Sequence, residues 1–157
     1  MRKIATTLLA IIVSLGVFAQ EKGDTAIKLK TSYGSVEECV SGIIEMLAES
    51  GIGVEYANKD LGIVAAALCN TSRSTTTIQP RFTVLEKDGA VYAYATATGD
   101  AGVSPTLAKT TSGSLVTQVT RTGQSGSILL SQWKALETIA KKIPHTQAEC
   151  INPALSE

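Results

Sequence analysis

"RFTVLEKDGAVYAYATATG", Arg81–Gly99, decides the fold. Asp88-Gly89 stands between two alternating runs, and this dipeptide accepts the positive backbone angles of a two-residue hairpin turn. Phe82 and Val84 share one face of the first strand. Along the second, Val91, Ala93, Ala95 and Ala97 point one way and Tyr92, Tyr94, Thr96 and Thr98 the other, because strand side chains alternate sides. A sheet with one apolar and one polar face needs a cover on one side only.

Two segments are suited to cover it. In "SVEECVSGIIEMLAESG", Ser35–Gly51, Ser35 and Glu38 have the spacing of a capping box, in which each side chain satisfies an orphan backbone donor of the other residue. Val36, Val40, Ile43, Ile44 and Leu47 form one helical stripe, and Gly51 fits the left-handed position that ends a helix. In "SILLSQWKALETIAKKI", Ser127–Ile143, the stripe is Leu129, Trp133, Leu136, Ala140 and Ile143. Lys141 and Lys142 complement the helix dipole, and Pro144 stops the run.

The remaining strands read from alternation. "AIKLKTSYG", Ala26–Gly34, sets Ile27 and Leu29 against Lys28 and Lys30. "VEYANKDLGIVAAALC", Val54–Cys69, reads as a hairpin, with Val54 and Tyr56 on one face and a turn at Asn58, Asp60 and Gly62. "TSRSTTT", Thr71–Thr77, reads as a loop. Residues 100–126 are rich in Gly, Ser and Thr, with one short candidate strand in "SLVTQVTR", Ser114–Arg121. The expected fold is α+β: a two-layer sandwich in β-α-β4-α order, its antiparallel sheet of four to six strands carrying two helices on one face.

"SVEECVSGIIEMLAESGIGVEYANKDLGIVAAAL", Ser35–Leu68, resembles the helix-then-hairpin unit of small bacterial envelope domains with TBP-like topology. These include repeats of the outer-membrane assembly lipoprotein that accompanies the β-barrel insertion machine. The shared markers are a glycine before the hairpin, Gly51 or Gly53, and Asp60 with Gly62 at the turn. The resemblance implies an interaction module in place of an enzyme.

The chain begins with the grammar of a secretory signal peptide: basic Arg2 and Lys3, an apolar run from Ile4 to Phe18, and small or aliphatic residues before a cleavage after Ala19. A membrane span needs about 20 apolar residues, and this run is shorter. Cleavage leaves residues 20–157 as a single α+β domain, with twelve basic against fourteen acidic residues, a net charge of −2. The expected destination is the periplasm or the exterior, with no membrane span after cleavage. No cluster of Lys and Arg among aromatics marks a nucleic-acid binder.

Cys39, Cys69 and Cys150 all survive cleavage, and an oxidising compartment allows one pair. Three pairings are open. The start of the first helix and the tail beyond the second can meet on one face, which favours Cys39 with Cys150; three reduced thiols are the alternative. No C-x-x-C is present, and one histidine with scattered carboxylates forms no metal motif. No cofactor or metal is expected.

Two readings of function compete. "GQSGS", Gly123–Ser127, places Ser125 between a candidate strand and a helix, where His145 would have to act as base for a small secreted hydrolase. The alternative for Ser125 or Ser127 is that it caps the helix. Against this stands the row Tyr92, Tyr94, Thr96 and Thr98. Aromatic side chains with a polar tip suit contact surfaces, and on the open side of the sheet they would bind an envelope protein or surface ligand. Cross-strand packing is the plainer role for the same row. A structural or oligomeric envelope component is a third reading.

Overall fold

The structure, a computed structural model, describes residues 23–72, 76–100, 116–121 and 127–153. The signal segment expected over 1–19 and Ser125 lie outside these residues. In chain order the elements are β1 (Ala26–Thr31), α1 (Val36–Glu49), β2 (Val54–Asn58), β3 (Ile63–Ala66), β4 (Cys69–Asn70), β5 (Thr77–Lys87), β6 (Ala90–Asp100), β7 (Val116–Gln118), α2 (Ile128–Ala140) and β8 (His145–Ile151).

The two strands that Asp88-Gly89 joins lie in the middle of the sheet. β5 and β6 pair antiparallel from Ile78 opposite Gly99 to Lys87 opposite Ala90. Asp88 and Gly89 turn at φ 53° and 72°, the backbone of a tight hairpin whose twist matches its strands. Among the described residues, strands join on both sides to give one eight-stranded sheet in the order β2-β3-β5-β6-β1-β8, with β4 beside β5 and β7 beside β6.

This corrects the expected architecture. A sheet of four to six strands in β-α-β4-α order is not what forms, because further strands arise at Cys69–Asn70 and, beyond the second helix, at His145–Ile151. β8 follows the second helix and runs antiparallel to β1. Its sequence, HTQAECI, is largely exposed along its length. An edge strand is specified by backbone pairing to its neighbour and needs little apolar alternation, so its pattern is weak in sequence. β4 is a two-residue instance of the same effect. A second correction concerns β2. The register slips between Val54 and Tyr56, so Val54 stands opposite Ala66 and Tyr56 opposite Ala65. An extra residue in one strand is a bulge, and here it places Val54 and Tyr56 on different faces.

The core lies on one side of the sheet. Ile27, Leu29, Val64, Phe82, Val84, Val91, Ala93, Ala95 and Ala97 are buried with residues of both helices in one cluster. The register puts Phe82, Ala95 and Ile27 in one row across three strands. Alanines at 93, 95 and 97 leave room for the helices to approach the strands, and both helices contact β5 and β6. Phe82 fills the middle and is fully buried.

Local signals hold the first helix in place. Ser35 Oγ accepts from the Glu38 amide at 3.2 Å as expected, but Glu38 Oε2 accepts from the Gly34 amide at 3.1 Å in place of the Ser35 amide. At the other end Gly51 takes φ 70°, while the Ile52 amide donates to Leu47 O at 2.9 Å and the Gly51 amide to Ala48 O at 3.0 Å. These two bonds satisfy carbonyls that the helix itself leaves without donors. Gly62 is required by proximity as well as by its positive φ. A Cβ there would overlap the Val84 carbonyl oxygen, and the Gly62 carbonyl accepts from the Val84 amide at 2.6 Å.

The second helix begins at Ser127, whose Oγ accepts from the Leu130 amide at 3.1 Å. Its Gln132 is fully buried. The Gln132 amide group donates to Asp100 O at 2.8 Å and to Thr77 O at 3.3 Å, clamping the start of β5 to the end of β6. Gly99 is where this side chain passes, since a Cβ there would collide with it.

Candidate functional site

The reverse of the sheet is built by the same alternation. Tyr92, Tyr94, Thr96 and Thr98 project from β6 away from the core face, and no described helix lies on that side. Register supplies their neighbours. Tyr94 stands between Thr83 and Lys28, and Tyr92 between Leu85 and Lys30. Thr96 faces Arg81, and Thr98 lies between Gln79 and Gln118. Lys28 Nζ sits 5.2 Å from the centre of the Tyr92 ring, within the range where the ring's negative face attracts a cation. The same ammonium lies 3.9 Å from Glu149 on β8. Tyr56, 50% exposed, stands opposite Ala65 further along this face.

Beside Thr96 and Thr98 the face dips into a depression of about 310 Å³. Ala65 is small enough to leave it open, and Gln79, Arg81, Thr96, Thr98 and Gln118 line it. Gln79 Nε2 donates to Glu55 Oε2 at 2.7 Å. Thr96 Oγ1 donates to the Arg81 carbonyl at 3.4 Å. The surface thus combines hydroxyls, aromatic rings and the cations Lys28, Lys30 and Arg81. Such a surface holds a partner by contact area, hydrogen bonds and charge. The row on β6 is legible in its own sequence, and Arg81 joins it through the Asp88-Gly89 hairpin; Lys28 and Lys30 enter only because β1 pairs with β6, and the single signal for this was their alternation.

The other candidates are spread through the fold. His145 opens β8 opposite Thr31, and its Nδ1 donates to Ile143 O at 2.6 Å. Ser125, its supposed partner, lies outside the described residues. Cys39, Cys69 and Cys150 are free thiols in the structure, Cys39 on α1 and Cys150 on β8. Cys39 lies buried on α1, where removal from water pushes its thiol up to about 11, partly opposed by a hydrogen bond with Thr31. Burial also raises Cys69 and Cys150. A raised thiol stays protonated and makes a poor nucleophile. The Cys69 thiol donates to Ile78 O at 3.5 Å. Among the described residues no three His, Cys, Asp or Glu side chains stand together to hold a metal ion, and no helix is long and apolar enough to cross a membrane.

Neither a family model nor a curated protein matches this chain.

Proposed function

We propose that this protein is a non-enzymatic binding module of the bacterial cell envelope, exported by its N-terminal segment, that holds a protein partner on the open face of its sheet. One observation carries the reading: Tyr92, Tyr94, Thr96 and Thr98 form a row flanked by Lys28, Lys30 and Arg81 on a face that no described helix covers. Tyrosine combines a large contact area with a hydrogen-bonding tip and few rotatable bonds, which is why it recurs at binding centres. The flanking cations suit a partner surface carrying carboxylates, because complementary charge speeds encounter and selects among partners.

The test is capture from an envelope extract by the purified mature chain and by the double variant Tyr92→Ala/Tyr94→Ala, with folding checked by circular dichroism. The variant should lose the partner while keeping its fold, and capture by the unaltered protein should weaken as salt is raised. Undiminished capture by the variant removes the open face as the site. Cell fractionation tests the location separately: residence in the cytoplasm removes the envelope assignment and leaves the sheet-face reading standing.

A further inference from the structure

The helix side of the molecule carries a second concavity, away from the tyrosine row. It opens between the turn that ends α1, the β3–β4 corner and the last turns of α2, with a volume of about 740 Å³. That is within the range of small-molecule sites, roughly 300–1,000 Å³.

Its walls divide by chemistry. Ile52, Ala135 and Ile139 supply an apolar floor, and Leu68 stands on the lip, 65% exposed. Lys134 and Lys142 rise on the α2 side. Lys134 and Thr138 lie on α2 itself, and Lys142 follows two residues past its end at Ala140. The Thr138 hydroxyl donates to the Lys134 carbonyl at 2.8 Å, so it turns back onto its own helix. Lys142 Nζ reaches across to Ser50 Oγ at 2.9 Å, closing one end of the cleft with a neutral partner. The neighbouring Lys141 is paired with Glu137 at 2.8 Å. Among the described residues neither Lys134 nor Lys142 has such a carboxylate, and no acid lines the cleft.

An apolar floor, an exposed leucine at the lip and two cations without acidic partners are complementary to one kind of small molecule. We infer that this cleft binds a free amphipathic carboxylate, its chain against Ile52, Leu68 and Ile139 and its anionic head on Lys134 or Lys142. The inference is independent of the open sheet face, since none of the residues on the tyrosine row contributes to it.

Decanoate, kept below its micelle concentration, is the probe, and isothermal titration of the mature protein is the measurement. Saturable binding at one site is expected, weakened at least tenfold in Lys134→Ser/Lys142→Ser and in Leu68→Ser, and unchanged in Tyr92→Ala/Tyr94→Ala. All the altered side chains are on the surface, so circular dichroism should show intact folds. Decyltrimethylammonium, with the same chain and opposite charge, should bind at least tenfold more weakly than decanoate. Absence of saturable decanoate binding, equal binding of the cationic amphiphile, or full affinity in the double lysine variant each overturns the inference. Binding only to vesicles of anionic phospholipid, with none to free decanoate, overturns it too.

Discussion

The two faces of β6 belong to one strand and share every backbone hydrogen bond, yet they are built for opposite conditions. Val91, Ala93, Ala95 and Ala97 are buried under two helices, while Tyr92, Tyr94 and Thr96 remain partly open and Thr98 is exposed. The buried face uses small residues, so its energy comes from what packs onto it: Phe82, Leu29 and the helical stripes. The open face uses large residues with polar tips, so its energy is available to something outside the chain. Substitutions on the first should cost stability, and substitutions on the second should cost contact.

The sharpest way to break this division is Phe82→Ala. Phe82 is fully buried between the sheet and the helices, and loss of such a ring costs about 3–5 kcal/mol through lost burial and the remaining cavity. Urea unfolding followed by the fluorescence of Trp133, the single tryptophan, should show the midpoint fall accordingly. A fall below about 1 kcal/mol would mean that the core is not centred on this row.

A second test uses pH on the helix side. The Cys39 thiol titrates ordinarily at 9.0 and is raised by burial to about 11 in the fold. Below pH 9.0 both folded and unfolded chains keep the proton, and its contribution to stability is complete. Between 9.0 and about 11 only the unfolded chain gives it up, so stability falls as pH rises and the contribution is lost on passing the folded value. Cys69, Cys150 and Tyr33 are raised by burial in the same direction. Unfolding midpoints at pH 8 and pH 10 should therefore differ, and Cys39→Ala should shrink the difference without abolishing it.

The smallest effect on stability belongs to the open face. Cross-strand pairs of this kind contribute about 0.2–1 kcal/mol each, so Tyr92→Ala/Tyr94→Ala should cost no more than about 2 kcal/mol together. The same urea titration checks it. A loss as large as that of Phe82→Ala would make the tyrosines packing residues and leave the open face without its proposed role.

How much of this was legible varies by element. The first helix was readable end to end, because Ser35, Glu38 and Gly51 act through bonds to residues within a few positions of themselves. The Asp88-Gly89 hairpin was readable for the same reason. β8 was not, since an edge strand of HTQAECI owes its form to β1, far away in the chain. The bulge in β2 was hidden because one extra residue changes which face Tyr56 joins without changing the alternating pattern. Gln132 looks in sequence like any polar residue on a helix, and only the meeting of Thr77 and Asp100 beside it explains a buried amide there.

Residues acting on near neighbours determined the helix caps, the tight turn and the two-sided character of β6, since those depend on backbone angles and strand pleat alone. Only the tertiary structure decided that β1 lies beside β6 and so brings Lys28 and Lys30 to the tyrosines, that the sheet extends to eight strands, and that Lys134 and Lys142 overlook an acid-free cleft. Pairing between distant strands is chosen by which assembly buries the most apolar surface with its backbone groups satisfied, and no short stretch of chain carries that sum.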